Sequence, residues 1–376
     1  MHVRSRPNRL THHRSGVLIL IGMLLLLTTA LGAEDPDLAA LPLLEPGLHL
    51  GTTFYGSGDV PEDDTLVDTV ASAAQQGMTA FTFYVDWPQL EPEPGVYALD
   101  DLRASLNWLH ELGIQPLLNI TLIDIDNIAL PDDLLDLPLD DPRIVERLNG
   151  LLGAVAPLLV ENGGFLLLLG NEVDAHFNDT GAPFAPYVRL IEAARAHVHT
   201  SEPQLAVGVT LTGTEVMAQG QVFEALRPVT DAIPFNYYPL STHYEDWFAL
   251  LPLDAIPDLL AEYMRIYGDD PVIIQELGCP SAEINASSLE AQAACFDLMF
   301  EELHRYPNVR YVTVFTLYDF DEPTCDLVIE LFGITEAELP GIYFDRWRGY
   351  LCTLGLLYPD YSPKPAWDVF TSYLPG

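Results

Sequence analysis

Two glutamates of this chain stand at the ends of strongly apolar segments. Glu172 follows the run "FLLLLGN", which places Asn171 directly before it, and Glu276 ends the run "PVIIQE". Two carboxylates can divide acid and base chemistry between them, because burial and mutual repulsion separate their pKa values. If both reach one cleft, a protonated carboxyl and an ionised carboxylate form the pair that glycosidic bond cleavage requires.

These glutamates belong to a chain-wide alternation of apolar runs and helical patterns. Each of eight runs is followed by a segment with helical periodicity or helix-capping residues. The runs are residues 47–55, 78–85, 114–123, 165–171, 204–211, 232–240, 271–278 and 309–320. Continuous apolar strands that alternate with helices indicate a parallel sheet buried on both faces. Eight such units predict an α/β chain folded as one (β/α)₈ TIM barrel.

A doubly wound open sheet is the alternative architecture, but no glycine-rich phosphate loop follows the first strand. In a barrel, the carboxyl ends of the strands surround one pocket. Glu172 on strand four and Glu276 on strand seven would then face each other across the barrel mouth. Asn119 on strand three points into the barrel or its mouth, where it would contact substrate or pack the interior.

The N-terminal segment differs from the rest of the chain. Residues 1–14 carry four arginines and no acid, and an uncharged apolar stretch ends in small residues by Gly32. This pattern predicts a secretory signal over residues 1–32, with an uncleaved signal anchor as the alternative. Residues 33–46 form a short leader, and residues 47–376 form the catalytic barrel. The protein is therefore expected to be secreted or extracytoplasmic.

The charge of the chain restricts its partners. The formal net charge is −39, and removal of the four signal arginines leaves 12 basic against 55 acidic residues, or −43. Such a surface repels phosphate backbones, which excludes nucleic acid as an expected partner and favours a neutral substrate. Membrane contact is expected only through the possible anchor. The chain is expected to act as a monomer.

The cysteines predict disulfides rather than a metal site. The four cysteines show no CxxC or Cys/His spacing, and no metal or other cofactor is expected. An even count in an exported chain permits two disulfides with three possible pairings. Cys325 and Cys352 lie in one loop-rich stretch and are the preferred pair. That stretch, residues 321–354, also carries Trp347 and is expected to fold over the barrel mouth.

Several motifs occur in order along the whole barrel. They are "GNE" at 170–172, "DWPQLEPEPGVYALDDL" at 86–102, "FNYYPL" at 235–240, "IIQELG" at 273–278 and "GLLYPDYSPKPAWDVF" at 355–370. In these features the sequence resembles clan A of the glycoside hydrolases, the retaining (β/α)₈ glycosidases. The resemblance implies that Glu172 is the acid/base and Glu276 the nucleophile. It also implies that Asn171 binds the sugar 2-hydroxyl.

Further residues are candidates for the site, the first of them by the same resemblance. Tyr238 would hydrogen-bond to the nucleophile, with Tyr237 as the fallback. Trp87 would stack on a sugar or pack its loop, and Asp319 would bind sugar hydroxyls or cap a turn. Clan members often carry an arginine near the end of strand two, which "FTFYVDW" lacks. They also often carry a tryptophan on strand eight, where this chain has Phe315.

Three functions are consistent with these residues. The first is an exported retaining glycosidase acting on β-linked oligo- or polysaccharide. The second is a catalytically weakened barrel that binds sugar, as the missing arginine and tryptophan would suggest. The third is a cell-surface transglycosylase that uses the same glutamates with a sugar acceptor.

Overall fold

The computed structural model describes residues 41–53, 64–125, 127–332, 335–337, 339 and 341–375. Eight parallel strands form its central sheet. They are β1 (His49–Thr52), β2 (Ala80–Asp86), β3 (Gln115–Thr121), β4 (Leu166–Leu168), β5 (Ala206–Gly208 and Leu211–Thr212), β6 (Phe235–Tyr237), β7 (Val272–Leu277) and β8 (Val309–Val314). Each falls on one of the eight apolar runs of the sequence, with β2 and β5 extending one residue beyond theirs, so the predicted strand order is confirmed.

The sheet closes on itself through β5. Its first segment pairs with β4, with Leu166 opposite Ala206, and its second segment pairs with β6, with Leu211 opposite Phe235. At the other side β1 pairs with both β2 and β8. Every strand therefore has two parallel neighbours, and the predicted (β/α)₈ barrel is confirmed as a single domain.

Helices connect the strands around the outside of the barrel. Their bounds are α1 (Asp64–Gln75), α2 (Trp87–Leu90), α3 (Asp100–Glu111), α4 (Pro142–Glu161), α5 (Val173–Thr180), α6 (Ala185–Ser201), α7 (Gly213–Ala218), α8 (Gln221–Leu226), α9 (Ile256–Tyr267), α10 (Leu289–Leu303), α11 (Glu322–Phe332), α12 (Ile342–Cys352) and α13 (Pro365–Ser372). Local caps start several of them: the Ser288 side chain accepts from the Ala291 N–H at the start of α10.

The barrel interior changes from apolar to polar along the strands. Near the amino ends, Leu117, Leu166 and Ile273 pack in a small internal cluster. One layer higher, the hydroxyls of Thr82 and Thr313 lie 2.9 Å apart, and Asn119 donates to Gln275 at 3.2 Å. Because side chains two positions apart share a face of a strand, this gradient places polar groups at the carboxyl end.

Two helices beyond β8 form a separate small core. We call α11 and α12 together the strap. Val328, Trp347 and Leu351 are buried within it, and Phe320, which precedes α11, packs in the same cluster. The Cys325–Cys352 disulfide joins the two helices, which confirms the preferred pairing. The second disulfide, Cys279–Cys295, links the segment after β7 to α10.

The predicted signal, residues 1–32, and most of the predicted leader lie outside the described residues. Within the part of the chain that is described, no helix has the length and apolarity to cross a bilayer.

Candidate active site

The segment after β4 turns sharply at Glu172. Gly170 has a φ of +148°, and a Cβ there would lie 2.6 Å from Val173 Cγ1 and 2.7 Å from the Tyr187 hydroxyl oxygen, so only glycine fits. Glu172 itself has a φ of +47°, a left-handed conformation that residues other than glycine rarely adopt. Strained backbone of this kind concentrates at functional sites, where the surroundings hold it in place.

A short hairpin holds this turn from the side of β3. Its strands are Ile123–Asp124 and Asn127–Ile128. The Asn171 N–H donates to the Ile123 carbonyl at 2.9 Å, and the Asn171 carbonyl accepts from the Ile125 N–H at 3.0 Å. The Asn171 Nδ2 also donates to Asp124 Oδ1 at 3.0 Å. The hairpin thereby fixes the backbone before Glu172 and brings a third carboxylate to the site.

Glu276 is held by two tyrosines. It lies on β7 and is 7% exposed. Tyr84 donates to Oε1 at 2.7 Å, and Tyr238 donates to Oε2 at 2.5 Å. The predicted contact of Tyr238 is thus present. The fallback, Tyr237, is buried against Tyr263, with its ring 5.4 Å away, and does not reach Glu276.

A network of amides connects the two glutamates. Asn236 Nδ2 donates to Glu172 Oε1 at 3.0 Å and to Asn171 Oδ1 at 3.1 Å. Gln275 Nε2 donates to the same Asn171 oxygen at 3.0 Å and to the Tyr84 hydroxyl at 2.9 Å. Since Tyr84 donates onward to the carboxylate on β7, the acid pair belongs to one continuous site at the carboxyl end of the barrel.

The two glutamates have different electrostatic surroundings. Burial, followed by the charge of Glu276, raises the pKa of Glu172 well above its ordinary value, and one amide hydrogen bond opposes this. Burial raises the pKa of Glu276 to about 7, against the hydrogen bonds from Tyr238 and Tyr84. Donors to a carboxylate favour its ionised form. The arrangement therefore favours a protonated Glu172 beside an ionised Glu276.

Trp87 does not line the site, so the expected sugar stacking is wrong. Its ring is fully buried, and its Nε1 donates to Glu91 Oε2 at 2.6 Å. Glu91 also accepts from the Gly95 N–H at 2.6 Å and pairs with Arg147 at 3.2 Å. Helix α2 and the turn that follows it, residues 87–95, are therefore tied together around a buried carboxylate, which leaves Trp87 the packing role.

Asn119 also has a structural position rather than the expected substrate contact. It is fully buried, and its side-chain oxygen accepts from the Gly170 N–H at 3.2 Å. Its Nδ2 donates to the Gly170 carbonyl and to Gln275, each at 3.2 Å. With all of these groups in use, Asn119 supports the turn that presents the acid pair.

Asp319 is likewise occupied, and its expected role in binding sugar hydroxyls is not supported. Both carboxylate oxygens contact the buried ammonium of Lys364, at 3.0 and 3.1 Å. The Gly355 N–H donates to Oδ1 at 2.8 Å, and Lys364 Nζ donates to the Gly355 carbonyl at 2.7 Å. This buried pair ties the loop after β8 to the segment that follows the strap.

Phe315 lies directly after β8. Its side chain is half-buried, its peptide bond to Thr316 is cis, and its N–H donates to the Leu277 carbonyl at 3.0 Å. It therefore stands beside the end of β7, the strand that carries Glu276. Its expected role as the floor of the cleavage subsite stays a prediction.

Three residues at the site escaped the sequence analysis. Tyr84 and Asn236 hydrogen-bond to the glutamates, and Tyr350 packs against Tyr238. Tyr84 could have been found from the alternation in β2, where Thr82, Tyr84 and Asp86 share one face of an otherwise apolar strand. Tyr350 lies on α12 of the strap, and its position near the site depends on tertiary packing that no local sequence motif predicts.

Comparison with known proteins bears on the fold. No family model matches the chain, and no curated protein matches it. Among solved structures, an exo-β-1,4-mannosidase from Opitutaceae bacterium strain TAV5 superposes with a TM-score of 0.65 at 17% identity. The match covers 87% of this chain and 59% of that protein, so this chain spans well under two thirds of its length.

Two further structures have similar scores. A GH5_18 variant from Bifidobacterium longum subsp. longum, solved with Manβ1-4GlcNAc, gives a TM-score of 0.63 at 16% identity and covers 87% of this chain and 77% of its own. A β-glucuronidase from Bacteroides uniformis gives 0.57 at 13% identity, covering 88% and 35%. The chain shares its fold with these glycosidases. The fold that the clan A resemblance implies is therefore confirmed.

Proposed function

We propose that this chain is an exported retaining glycoside hydrolase that cleaves β-linked oligo- or polysaccharide by double displacement. Glu276 is the nucleophile and Glu172 the acid/base. The observation that carries the proposal is the unequal treatment of two glutamates in one network: two tyrosine hydroxyls stabilise the carboxylate of Glu276, whereas burial and neighbouring charge favour a protonated Glu172.

The roles follow from these protonation states. Glu276 attacks the anomeric carbon while Glu172 gives its proton to the leaving oxygen, and a glycosyl ester forms on Glu276. Glu172, now ionised, takes a proton from water, which attacks the same carbon and frees the sugar and Glu276. Asn171 accepts from two amides at its Oδ1 and donates one Nδ2 hydrogen to Asp124, which leaves its second amide hydrogen to donate to the sugar 2-hydroxyl.

The charge of the site favours a neutral sugar. Asp124 adds a third carboxylate near the pair, where it raises the pKa of Glu276. Of the described side chains that hydrogen-bond to the two glutamates, none is basic. A sugar carboxylate would enter this site without a charge partner, at a cost of several kcal/mol. We therefore favour neutral glycosides, such as mannosides, over glucuronides.

Export is supported by the two disulfides, since such bonds persist in oxidising compartments. The protein would act as a monomer on a carbohydrate partner, without cofactor or nucleic acid. The second candidate function is a sugar-binding barrel with weakened catalysis, because Phe315 stands where clan members have tryptophan. Tyr84 partly offsets the missing arginine of β2 as a donor to Glu276. A transglycosylase would use the same residues with a sugar acceptor.

One experiment separates these functions. The wild type and Glu276→Gln are incubated with aryl β-glycosides of neutral sugars, an aryl β-glucuronide and a set of β-linked polysaccharides. We expect release of neutral sugar by the wild type and a loss of at least a thousandfold in the variant. Equal release by both proteins on every substrate would reject the glycosidase. Transfer products that dominate at high sugar concentration would indicate the transglycosylase.

A further inference from the structure

Tyr350 reaches the acid pair from a part of the chain far from the barrel strands. It lies in the last turn of α12, and its ring is half-buried. The Tyr238 ring meets it edge-on at 5.2 Å between centroids, and the Phe248 ring stacks on it at 5.3 Å and 18°. Because the Tyr238 hydroxyl lies 2.5 Å from Glu276, Tyr350 stands one side chain away from that carboxylate.

The hydroxyl of Tyr350 is a neutral donor in this position. Burial, followed by the charges of Glu172 and Glu276, raises its pKa well above the ordinary value. The ring contact with Tyr238, whose hydroxyl donates to Glu276, places the phenol on the Glu276 side of the site. The ring of Tyr350 also packs against the core of the strap, in which Trp347 is buried, so the helix holds the phenol in place.

The strap presents Tyr350 rigidly. Cys352, two residues later, is bonded to Cys325 of α11. Asn285 is fully buried, and its Nδ2 donates to the carbonyls of Phe248 and Arg346, each at 2.8 Å. This single amide clamps the loop that carries Phe248 to the helix that carries Tyr350. A side chain held from two sides can contribute to binding without a large loss of conformational entropy.

We propose that Tyr350 is a substrate-contacting residue that determines specificity: with Phe248 beside it, it forms the strap-side wall of the subsite between Glu172 and Glu276. The ligand is a pyranose, which accepts a hydrogen bond from the phenol and packs its carbon face against the ring. The inference rests on the proposed function only in that the sugar occupies the same cleft. It holds equally for a sugar-binding barrel.

The test compares Tyr350→Phe and Tyr350→Ala with Tyr343→Ala. Tyr343 is a matched control, since it lies two helical turns earlier on α12 and pairs with Tyr244 at 4.8 Å, away from the glutamates. The probes are the 4-nitrophenyl β-glycosides of glucose, mannose, galactose and N-acetylglucosamine. Binding is measured by calorimetry in a Glu276→Gln background, and KM and kcat are measured in the active chain.

We expect Tyr350→Phe to weaken binding of the preferred glycoside about fivefold and Tyr350→Ala at least about tenfold, as loss of one hydrogen bond and one ring contact implies. KM should rise in parallel, and Tyr343→Ala should change neither. Unchanged affinity in both Tyr350 variants would overturn the inference, as would equal losses in Tyr343→Ala. A merely structural role would lower the melting temperature while leaving affinity intact.

The outcomes for the two proposals are separable. Cleavage by the wild type with unchanged KM in the Tyr350 variants would reject the role of Tyr350 alone. If the wild type binds a glycoside without cleaving it, and the Tyr350 variants bind it more weakly, the glycosidase is rejected and the role of Tyr350 in the subsite wall is supported. A wild type that neither binds nor cleaves any of the four glycosides would reject both.

Discussion

Replacing Tyr84 with phenylalanine tests how the site keeps Glu276 ionised. The change removes one of the two phenol donors to the carboxylate, at 2.7 Å, and leaves the ring in place. A hydrogen bond to a charged group contributes about 1.5–3 kcal/mol, and about 1.4 kcal/mol corresponds to one pKa unit. The pKa of Glu276, already raised to about 7 by burial, should therefore rise by about one to two further units.

The assay is the pH dependence of kcat/KM on an activated aryl glycoside, because its acid limb reports the nucleophile of the free enzyme. At pH 6 we expect a loss of about ten- to a hundredfold, which shrinks as the pH approaches the new pKa. Tyr237→Phe is the matched control, since that buried hydroxyl has no hydrogen-bond partner among the described residues. A loss that is the same at every pH, or an acid limb at the wild-type position, would show that the Tyr84 hydroxyl does not hold Glu276 ionised.

Three further predictions concern stability. The pKa of Glu276 is about 7 in the folded protein and ordinarily 4.5, so the stability of the wild type falls as the pH rises from 4.5 through 7. Urea titrations should therefore show the stability of Glu276→Gln rising by about 3 kcal/mol relative to the wild type between pH 4 and pH 8. A stability difference that does not change with pH would contradict this. Lys364→Met should cost about 3–5 kcal/mol because Asp319 is left buried and unpaired, and adding Asp319→Asn should recover part of the loss; no recovery would speak against a charge effect. Replacing Cys325 and Cys352 by serine should lower the unfolding free energy by about 3.5 kcal/mol, as closure of a loop spanning 27 positions implies. An unchanged denaturation midpoint would show that the disulfide does not stabilise the fold.

The barrel could be predicted because each of its strands has a recognisable pattern in its own stretch of sequence. Buried parallel strands such as Val272–Leu277 read as unbroken apolar runs, and the polar residues that end them mark the working face. Glu172 and Glu276 stood out for this reason. The short helix α5, which starts directly after Glu172, and the two helices of the strap were not predicted. Their formation depends on neighbours that lie far away in the sequence.

The surroundings of the acid pair were harder to predict than the pair itself. Trp87, Asn119 and Asp319 have side chains that can contact either a sugar or a buried partner. Which of the two they contact depends on residues that lie far away in the sequence. For Asp319 that residue is Lys364, 45 positions later and the single lysine of the chain. Tyr84 was overlooked because a tyrosine within an apolar strand is also an ordinary core residue.

Trapping of a covalent intermediate shows whether Glu276 attacks the sugar. The protein is incubated with the 2-deoxy-2-fluoro derivative of whichever aryl β-glycoside it cleaves, and its peptides are examined by mass spectrometry. We expect one added sugar on the peptide that contains Glu276, and faster release of that sugar when Glu172 is intact than in Glu172→Gln. A label on any other residue, or turnover to product of inverted anomeric configuration with no label, would contradict it.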